Sequence, residues 1–294
     1  MAVVATGFFD GVHLGHRLVI DTLLSEAWRR GERSVIVSFW PHPRAVLQSD
    51  ADELRYLTSR SEKDAILKKL GVECIETMPF TREFAALSAR QYVKMLRENF
   101  GCTELVLGYD TRFGREQAGP YEIAALAREM GMEAVVTSPV CIGETPVSSS
   151  RIRSALSRGD VEEAAGLLGR PYGLHGVVVA GNKLGRTIGF PTANMKLYEP
   201  LMLIPQNGVY STRVLVEGKW YNGMTNIGTR PTVSERDSLT VETHILDFDE
   251  MIYGLDITVE FIGRVRDERK FASLEELRLQ LQKDAEICRK ITNY

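Results

Sequence analysis

Two of the five histidines in the 294-residue sequence, His13 and His16, stand in one short stretch, Gly7-Phe8-Phe9-Asp10-Gly11-Val12-His13-Leu14-Gly15-His16. On a helix that spacing puts both imidazoles on one face, where they can address a single anion. The apolar run 3–6 before the stretch predicts a buried strand. After it, Leu23, Leu24, Ala27 and Trp28 recur at helical spacing up to Gly31, which predicts a helix over 17–30. A glycine-punctuated strand-to-helix turn offers backbone N–H groups and the positive end of a helix dipole, which suits a phosphate. Gly15 leaves the backbone between the histidines open to close approach.

Other chemistry-bearing residues are spread along the chain. His42 lies between two prolines in Trp40-Pro41-His42-Pro43, a run that stops both strand and helix and makes a rigid loop. Asp110, Arg112 and Phe113 follow a short apolar run, in Gly108-Tyr109-Asp110-Thr111-Arg112-Phe113-Gly114. Ser148, Ser149 and Ser150 open a helix that carries Arg153; hydroxyls there cap the helix or, with the arginine, hold phosphates. A second glycine-rich stretch runs Gly181-Asn182-Lys183-Leu184-Gly185-Arg186-Thr187-Ile188-Gly189-Phe190-Pro191-Thr192-Ala193-Asn194. It is not a Walker A loop, because Gly-Lys-Ser/Thr is missing at its end, nor a G-x-G-x-x-G loop. In Val241-Glu242-Thr243-His244-Ile245, strand alternation puts Glu242 and His244 opposite Val241 and Ile245.

Alternating elements position the first group. Strands at 34–39, 72–76, 104–107 and 133–137 are separated by helices at 61–70, 88–100 and 121–130, the second of these opened by a Ser88–Gln91 capping box. That alternation predicts an open parallel sheet, and ligands of such sheets bind beyond the carboxyl ends of the strands. His13, His42 and Asp110 all fall on that edge. Asp160 and Glu163 cap a further short helix that ends at Leu168-Gly169-Arg170-Pro171. From there strands follow strands, at 176–179, 209–216, 220–224, 239–246 and 256–261, which predicts an antiparallel barrel or sandwich. One helix closes the chain, with a Ser273–Glu276 capping box and an apolar stripe of Leu274, Leu277, Leu281, Cys288 and Ile291. The expected domains are 1–168, a Rossmann-like α/β fold, and 169–294, a β-barrel with a closing helix.

Composition narrows the setting. Hydrophobic content of 44% and charged content of 26% are those of an ordinary soluble globular chain. A net charge of −3 implies no general attraction to nucleic acid or an anionic membrane, so any phosphate site is local. No apolar run approaches the roughly 18 residues of a membrane span, and no basic leader precedes the first apolar run. The four cysteines, Cys74, Cys102, Cys141 and Cys288, lack C-x-x-C spacing, which argues against zinc and a disulfide framework and for a reducing cytoplasm. An oligomer is not indicated.

The opening stretch resembles the G-x-F-D-G-x-H-x-G-H signature of flavin adenylyltransferases among the H-x-G-H nucleotidyltransferases. The segment 147–153 resembles their I-S-S-T-x-x-R element, and 167–172 resembles their interdomain junction. In the second half, G-R-x-x-G-F-P-T-A-N at 185–194 resembles the flavokinase motif, supported by 208–210, 223–232, 241–248 and 266–271. Together these cover nearly the whole chain, and the resemblance is to the bifunctional bacterial riboflavin kinase/FAD synthetase family.

The resemblance implies two reactions. The second half phosphorylates riboflavin with ATP to FMN, and the first half joins AMP from ATP to FMN, giving FAD and pyrophosphate. It implies ATP at Gly7, Phe8, Asp10, Gly11, His13, Gly15, His16, Ser148, Ser149, Ser150 and Arg153, and FMN at His42, Asp110, Arg112 and Phe113. It implies a kinase flap over ATP at Gly181, Gly185, Arg186, Gly189 and Pro191, and Mg²⁺ at Thr192 and Asn194. Glu242 is the implied catalytic base, with Arg266, Asp267 and Glu268 also near the flavin. Two departures fall in the first half: Trp40 stands where relatives carry an acidic residue, and Gln117 stands in a turn usually rich in arginine. Trp40 is therefore expected to pack against the nucleotide or narrow its entrance. The alternative reading is a kinase whose first half only binds a nucleotide or flavin.

Overall fold

Every residue of the first strand, β1 (Ala2–Thr6), is buried, because β1 lies at the centre of a sheet covered on both faces. In the computed structural model, which describes residues 1–47, 54–181, 184–230 and 238–291, the chain divides into two compact units, Met1–Ser149 and Ser150–Tyr294.

The first unit runs β1, α1 (Leu14–Arg30), β2 (Arg33–Trp40), α2 (Pro43–Leu47), α3 (Arg60–Lys69), β3 (Cys74–Pro79), α4 (Arg82–Ala85), α5 (Ala89–Phe100), β4 (Cys102–Leu107), α6 (Pro120–Glu129) and β5 (Glu133–Val136), then a small hairpin of β6 (Cys141–Ile142) and β7 (Thr145–Pro146). Its parallel five-stranded sheet has the order β3-β2-β1-β4-β5. Alternation along β1 divides the core. Val3 and Ala5 pack with Ile20, Leu23 and Leu67 on the α1/α3 face, whereas Ala2 and Val4 pack with Tyr92, Leu96 and Ile123 on the α5/α6 face. The winding reverses between β1 and β4, so their carboxyl ends splay a crevice between the 7–16 turn and the 108–114 loop.

The second unit comprises α7 (Ser149–Ser157), which begins at the division, α8 (Val161–Leu168), β8 (Tyr172–Val179), α9 (Leu184–Thr187), β9 (Ala193–Leu197), β10 (Gly208–Val216), β11 (Lys219–Arg230), β12 (Ser238–Ile245), β13 (Asp256–Arg266) and α10 (Leu274–Ile291). Its strands close a barrel, β10-β11-β12-β9-β8-β13. β9 is absent from the sequence expectation, because it directly follows a glycine-rich loop and carries Asn194 and Lys196, poor strand formers. β8 also begins earlier than expected. Gly173 and Gly176 break its apolar pattern, yet a Cβ on Gly176 would lie 2.3 Å from the Lys196 carbonyl oxygen, so glycine lets β8 and β9 close. Thr212, Thr225 and Thr243 are fully buried in a hydroxyl ladder with successive Oγ1 separations of 2.9 Å.

The closing helix differs from expectation at its start. Leu274 is exposed, and the buried residues are Asp284, Ala285 and Cys288. Ser273 accepts the Glu276 N–H at 3.2 Å, but the Glu276 carboxylate accepts the Ala272 N–H rather than closing back on Ser273.

α7 and α8 are tied to the barrel. Gln206 N–H donates to the Leu156 carbonyl at 3.0 Å, and Arg264 N–H donates to the Glu162 carboxylate at 3.1 Å. A fragment starting at residue 150 is therefore expected to unfold at a higher temperature than one starting at residue 173. The shorter fragment loses the burial of Leu167 and Leu168, each worth about 2 kcal/mol. It also loses Tyr172, whose hydroxyl donates to the Leu203 carbonyl at 2.6 Å. Calorimetry of both fragments checks this, and equal midpoints would show that the helices add nothing to the barrel.

Candidate functional site

In the first unit the 7–16 turn is left-handed at Phe9 (φ 55°), Gly11 (φ 82°) and Val12 (φ 40°), two of them residues that rarely adopt such backbone. Hydrogen bonds hold it. The buried Asp10 carboxylate accepts N–H bonds from Leu57 and Thr58 at 3.0 and 3.1 Å, Gly11 N–H donates to the Thr58 hydroxyl, and Ser149 donates to the Asp10 carbonyl at 3.0 Å. His13 is the N-cap of α1, its Nδ1 accepting the His16 N–H at 3.3 Å. Its ring stacks on that of His16 with centroids 3.6 Å apart, and a Cβ on Gly15 would lie 3.1 Å from it. Glycine is therefore what lets the imidazole lie over the helix start. Burial, then His13, then Lys63 hold the His16 pKa well below the usual imidazole range. His16 Nδ1 is buried and has no hydrogen-bond partner.

The pair opens into a cavity of about 460 Å³, within the size range of small-molecule sites. Gly7, Phe8, Gly15, Asp110, Arg112 and Phe113 also line it, as do Arg44 and Gln117, and Phe39, Phe80, Phe84 and Tyr92 supply an aromatic wall. One end thus presents imidazoles at a helix start, and the other presents rings on which a flat heterocycle can stack.

In the second unit β12 lies between β11 and β9, and Glu242 is in register with Asn226 on one side and Asn194 on the other. Thr192 Oγ1 donates to Glu242 Oε2 at 3.3 Å. A Cβ on Gly181 would lie 2.2 Å from the Asn194 amide, so only glycine lets the loop close on that side chain. His244, on the same strand face as Glu242, donates from Nδ1 to the Pro191 carbonyl at 2.8 Å, and burial lowers its pKa. A Cβ on Gly228 would lie 2.4 Å from the Glu268 carboxylate, which places Glu268 beside β11. A cavity of about 260 Å³ adjoins, lined by Arg186, Pro191, Thr192 and the 248–253 loop.

Two family models match the sequence, FAD synthetase over residues 1–151 and riboflavin kinase over residues 168–292. The bifunctional riboflavin kinase/FMN adenylyltransferase of Bacillus subtilis (strain 168) is 36% identical over 96% of this chain and 90% of its own length. That of Escherichia coli (strain K12) is 39% identical over 96% and 90%. The chain belongs to the bifunctional riboflavin kinase/FAD synthetase family. A solved structure from Streptococcus pneumoniae described as a macrolide-efflux protein, 32% identical, covers 100% of this chain and 94% of that one with a TM-score of 0.93. Among the described residues no helix is long and apolar enough to cross a membrane.

Within this riboflavin kinase/FAD synthetase, the residues expected from the sequence divide into those at a cavity and those beside it. Asp10 and Gly11 brace the turn from outside the cavity. The His42 ring packs edge-on to Phe8 at 4.2 Å while its Nδ1 accepts the Arg44 N–H; the cavity is lined by its neighbours Pro43 and Arg44. Ser148 and Ser149 close the first unit, and Ser150 and Arg153 lie on α7 in the second. In the barrel, Arg266 is held by the fully buried Asp284 of α10 at 2.8 Å, and Asp267 is exposed and pairs with Arg264. Gly185 lies within the short helix α9 and Gly189 follows it; a Cβ on Gly185 would lie 2.2 Å from the Phe190 carbonyl oxygen. Asn182 and Lys183 of the flap, and Pro231 and Thr232 of the 223–232 segment, lie outside the described residues.

Trp40 does not line the cavity itself but packs behind Phe8, which does. Its ring stacks on Phe8 with centroids 6.2 Å apart and tilts against Tyr56 at 5.0 Å, because it leaves β2 on the side that faces the turn. Sequence reasoning missed Arg44, the aromatic wall and Lys63. Arg44 follows the His-Pro pair directly, a signal that was available. The wall comes from residues scattered between 39 and 92, which no local pattern joins.

Proposed function

We infer that this chain makes FMN from riboflavin and ATP in its second unit and FAD from FMN and ATP in its first. The observation that supports this reading is that each unit sets a polar pair beside a cavity: the stacked His13–His16 pair in one, the Thr192–Glu242 pair in the other. Both reactions proceed mainly by aligning groups and stabilising spreading negative charge.

In the first unit the triphosphate of ATP lies at the start of α1, with Gly7, Phe8, Gly15, Ser148 and Ser149 as further contacts. His16 is neutral at pH 7 before the nucleotide arrives, so it meets the phosphates as an N–H donor, and a bound polyanion raises its pKa toward the charged form. FMN lies on the aromatic wall with its phosphate toward Arg112, and Asp110 and Phe113 border it. That phosphate is already ionised, so adenylyl transfer needs no base.

A neutral 5′-hydroxyl does need one, and Glu242 takes its proton in the second unit. Thr192 and Asn194 would hold Mg²⁺. The hard oxygen donors of Thr192 and Asn194 fit that ion, and the Gly181 contact fixes the Asn194 amide. When bound, the ion neutralises and orients the phosphates. Arg186, Gly189 and Pro191 form the flap over ATP, and Glu268 borders the flavin. Arg266, pinned by Asp284, anchors the segment that Glu268 occupies. None of the four cysteines is in a disulfide, which fits action in a reducing cytoplasm.

Purified protein incubated with riboflavin, ATP and Mg²⁺, with flavins separated by chromatography, tests the reading: FMN should appear first and FAD should follow. Trp40 and Gln117 favour a second reading, a kinase with a binding module, for which FMN would accumulate alone.

A further inference from the structure

Lys63 is 1% exposed on α3, deep under the turn that carries the two histidines. Its Nζ donates to the Phe8 carbonyl at 3.0 Å and to the Ser38 hydroxyl at 2.8 Å, and lies 4.3 Å from the centroid of the Phe8 ring. Among the described residues no carboxylate lies within ion-pairing distance of it. A buried ammonium without a paired carboxylate is costly, and it persists where hydrogen bonds and an aromatic face replace water. Here the aromatic face and one of the two hydrogen bonds belong to Phe8. That residue directly precedes Phe9, where the left-handed part of the turn begins, and its ring is also packed by Trp40 and His42.

We propose that Lys63 is a positioning residue for the adenylyltransferase reaction, its ammonium locking the Phe8 carbonyl and ring so that the strained turn presents His13 and His16 in fixed geometry. The charge is part of the device. It binds the ring face, and it bears on His16, which it helps keep neutral until phosphates arrive. Four charged or titratable groups face Lys63: Asp10 from the turn, His16 from α1, and Asp64 and Arg60 from its own helix. Burial outweighs the two carboxylates and lowers the Lys63 pKa to about 8. The ammonium is therefore present below pH 8 and lost as pH rises through it, which puts an alkaline limb on FAD formation.

Residue 40 is the lever on that limb. Ser38 and Trp40 are two apart on β2 and so share a face, with Ser38 bonded to Lys63. A carboxylate at position 40, on the strand face that bears Ser38, would add a negative charge near the ammonium and hold its proton to higher pH.

The test uses the full chain, with FMN formation from riboflavin as the internal measure of folding. Lys63→Met keeps the bulk of the side chain and removes charge and donors. It is expected to lower kcat for FAD formation by about 100-fold, leave KM for FMN and the kinase rate near wild type, and abolish the limb near pH 8. Trp40→Asp is expected to move the limb upward by a pH unit or more. Wild-type kcat in Lys63→Met would overturn the proposal. So would a limb that stays in place in Trp40→Asp, and that second variant decides the matter if Lys63→Met fails to fold.

Discussion

Glu242→Gln is expected to slow FMN formation from riboflavin and ATP by about 100- to 10,000-fold, the usual contribution of a positioned base. The substitution keeps size and a carbonyl acceptor, so the hydrogen bond from Thr192 Oγ1 survives and β12 keeps its register with β9 and β11. What it removes is proton affinity. Riboflavin binding should stay near wild type by fluorescence titration, and FAD formation from supplied FMN should be intact, because that reaction belongs to the other unit and needs no base. Near-wild-type FMN formation would remove the assignment. His244 would not be an equal substitute: its Nδ1 proton is committed to the Pro191 carbonyl, and burial disfavours its charged form, so it serves to anchor the segment before Thr192.

His16→Ala is expected to cut FAD formation by about 100- to 1,000-fold, the cost of losing one preorganised stabiliser of developing negative charge. FMN formation should be unchanged. The structure adds a readout that plain packing would not move. His16 is buried beside His13 and Lys63, all three effects holding its pKa down, so a triphosphate that raises it makes ATP binding take up protons near neutral pH. Titration calorimetry in buffers of different ionisation enthalpy should detect that uptake in wild type and lose it in His16→Ala. Unchanged FAD synthesis in a folded variant would leave the turn a structural feature only.

Much of this was legible in the residue order. The parallel sheet followed from strands alternating with helices, and the expected placement of His13, His42 and Asp110 at its carboxyl edge followed from the sheet. The barrel followed from strands in succession, although β9 was lost in the glycine-rich loop that leads into it. Glu242 and His244 were assigned one face by alternation, and both do reach the segment 191–192 from it. Other contacts could not be read from the order. The Trp40 ring packs on Phe8 and Tyr56, from other elements. The Arg266 guanidinium is held by Asp284 on the closing helix.

The sequence by itself determined which chemistry the chain carries, because motifs such as His13-Leu14-Gly15-His16 and Gly189-Phe190-Pro191-Thr192-Ala193-Asn194 bring their reacting groups together within a few residues, where local backbone geometry suffices. Only the tertiary structure decided the protonation and rigidity of those groups. Lys63 reads in sequence as one more charge on an amphipathic helix. Its burial, its hold on Phe8 and its field at His16 depend on Ser38 and Phe8, which are 25 and 55 residues away in the chain. Solvation and Coulomb energies follow distance in space, and spacing along the chain does not report it.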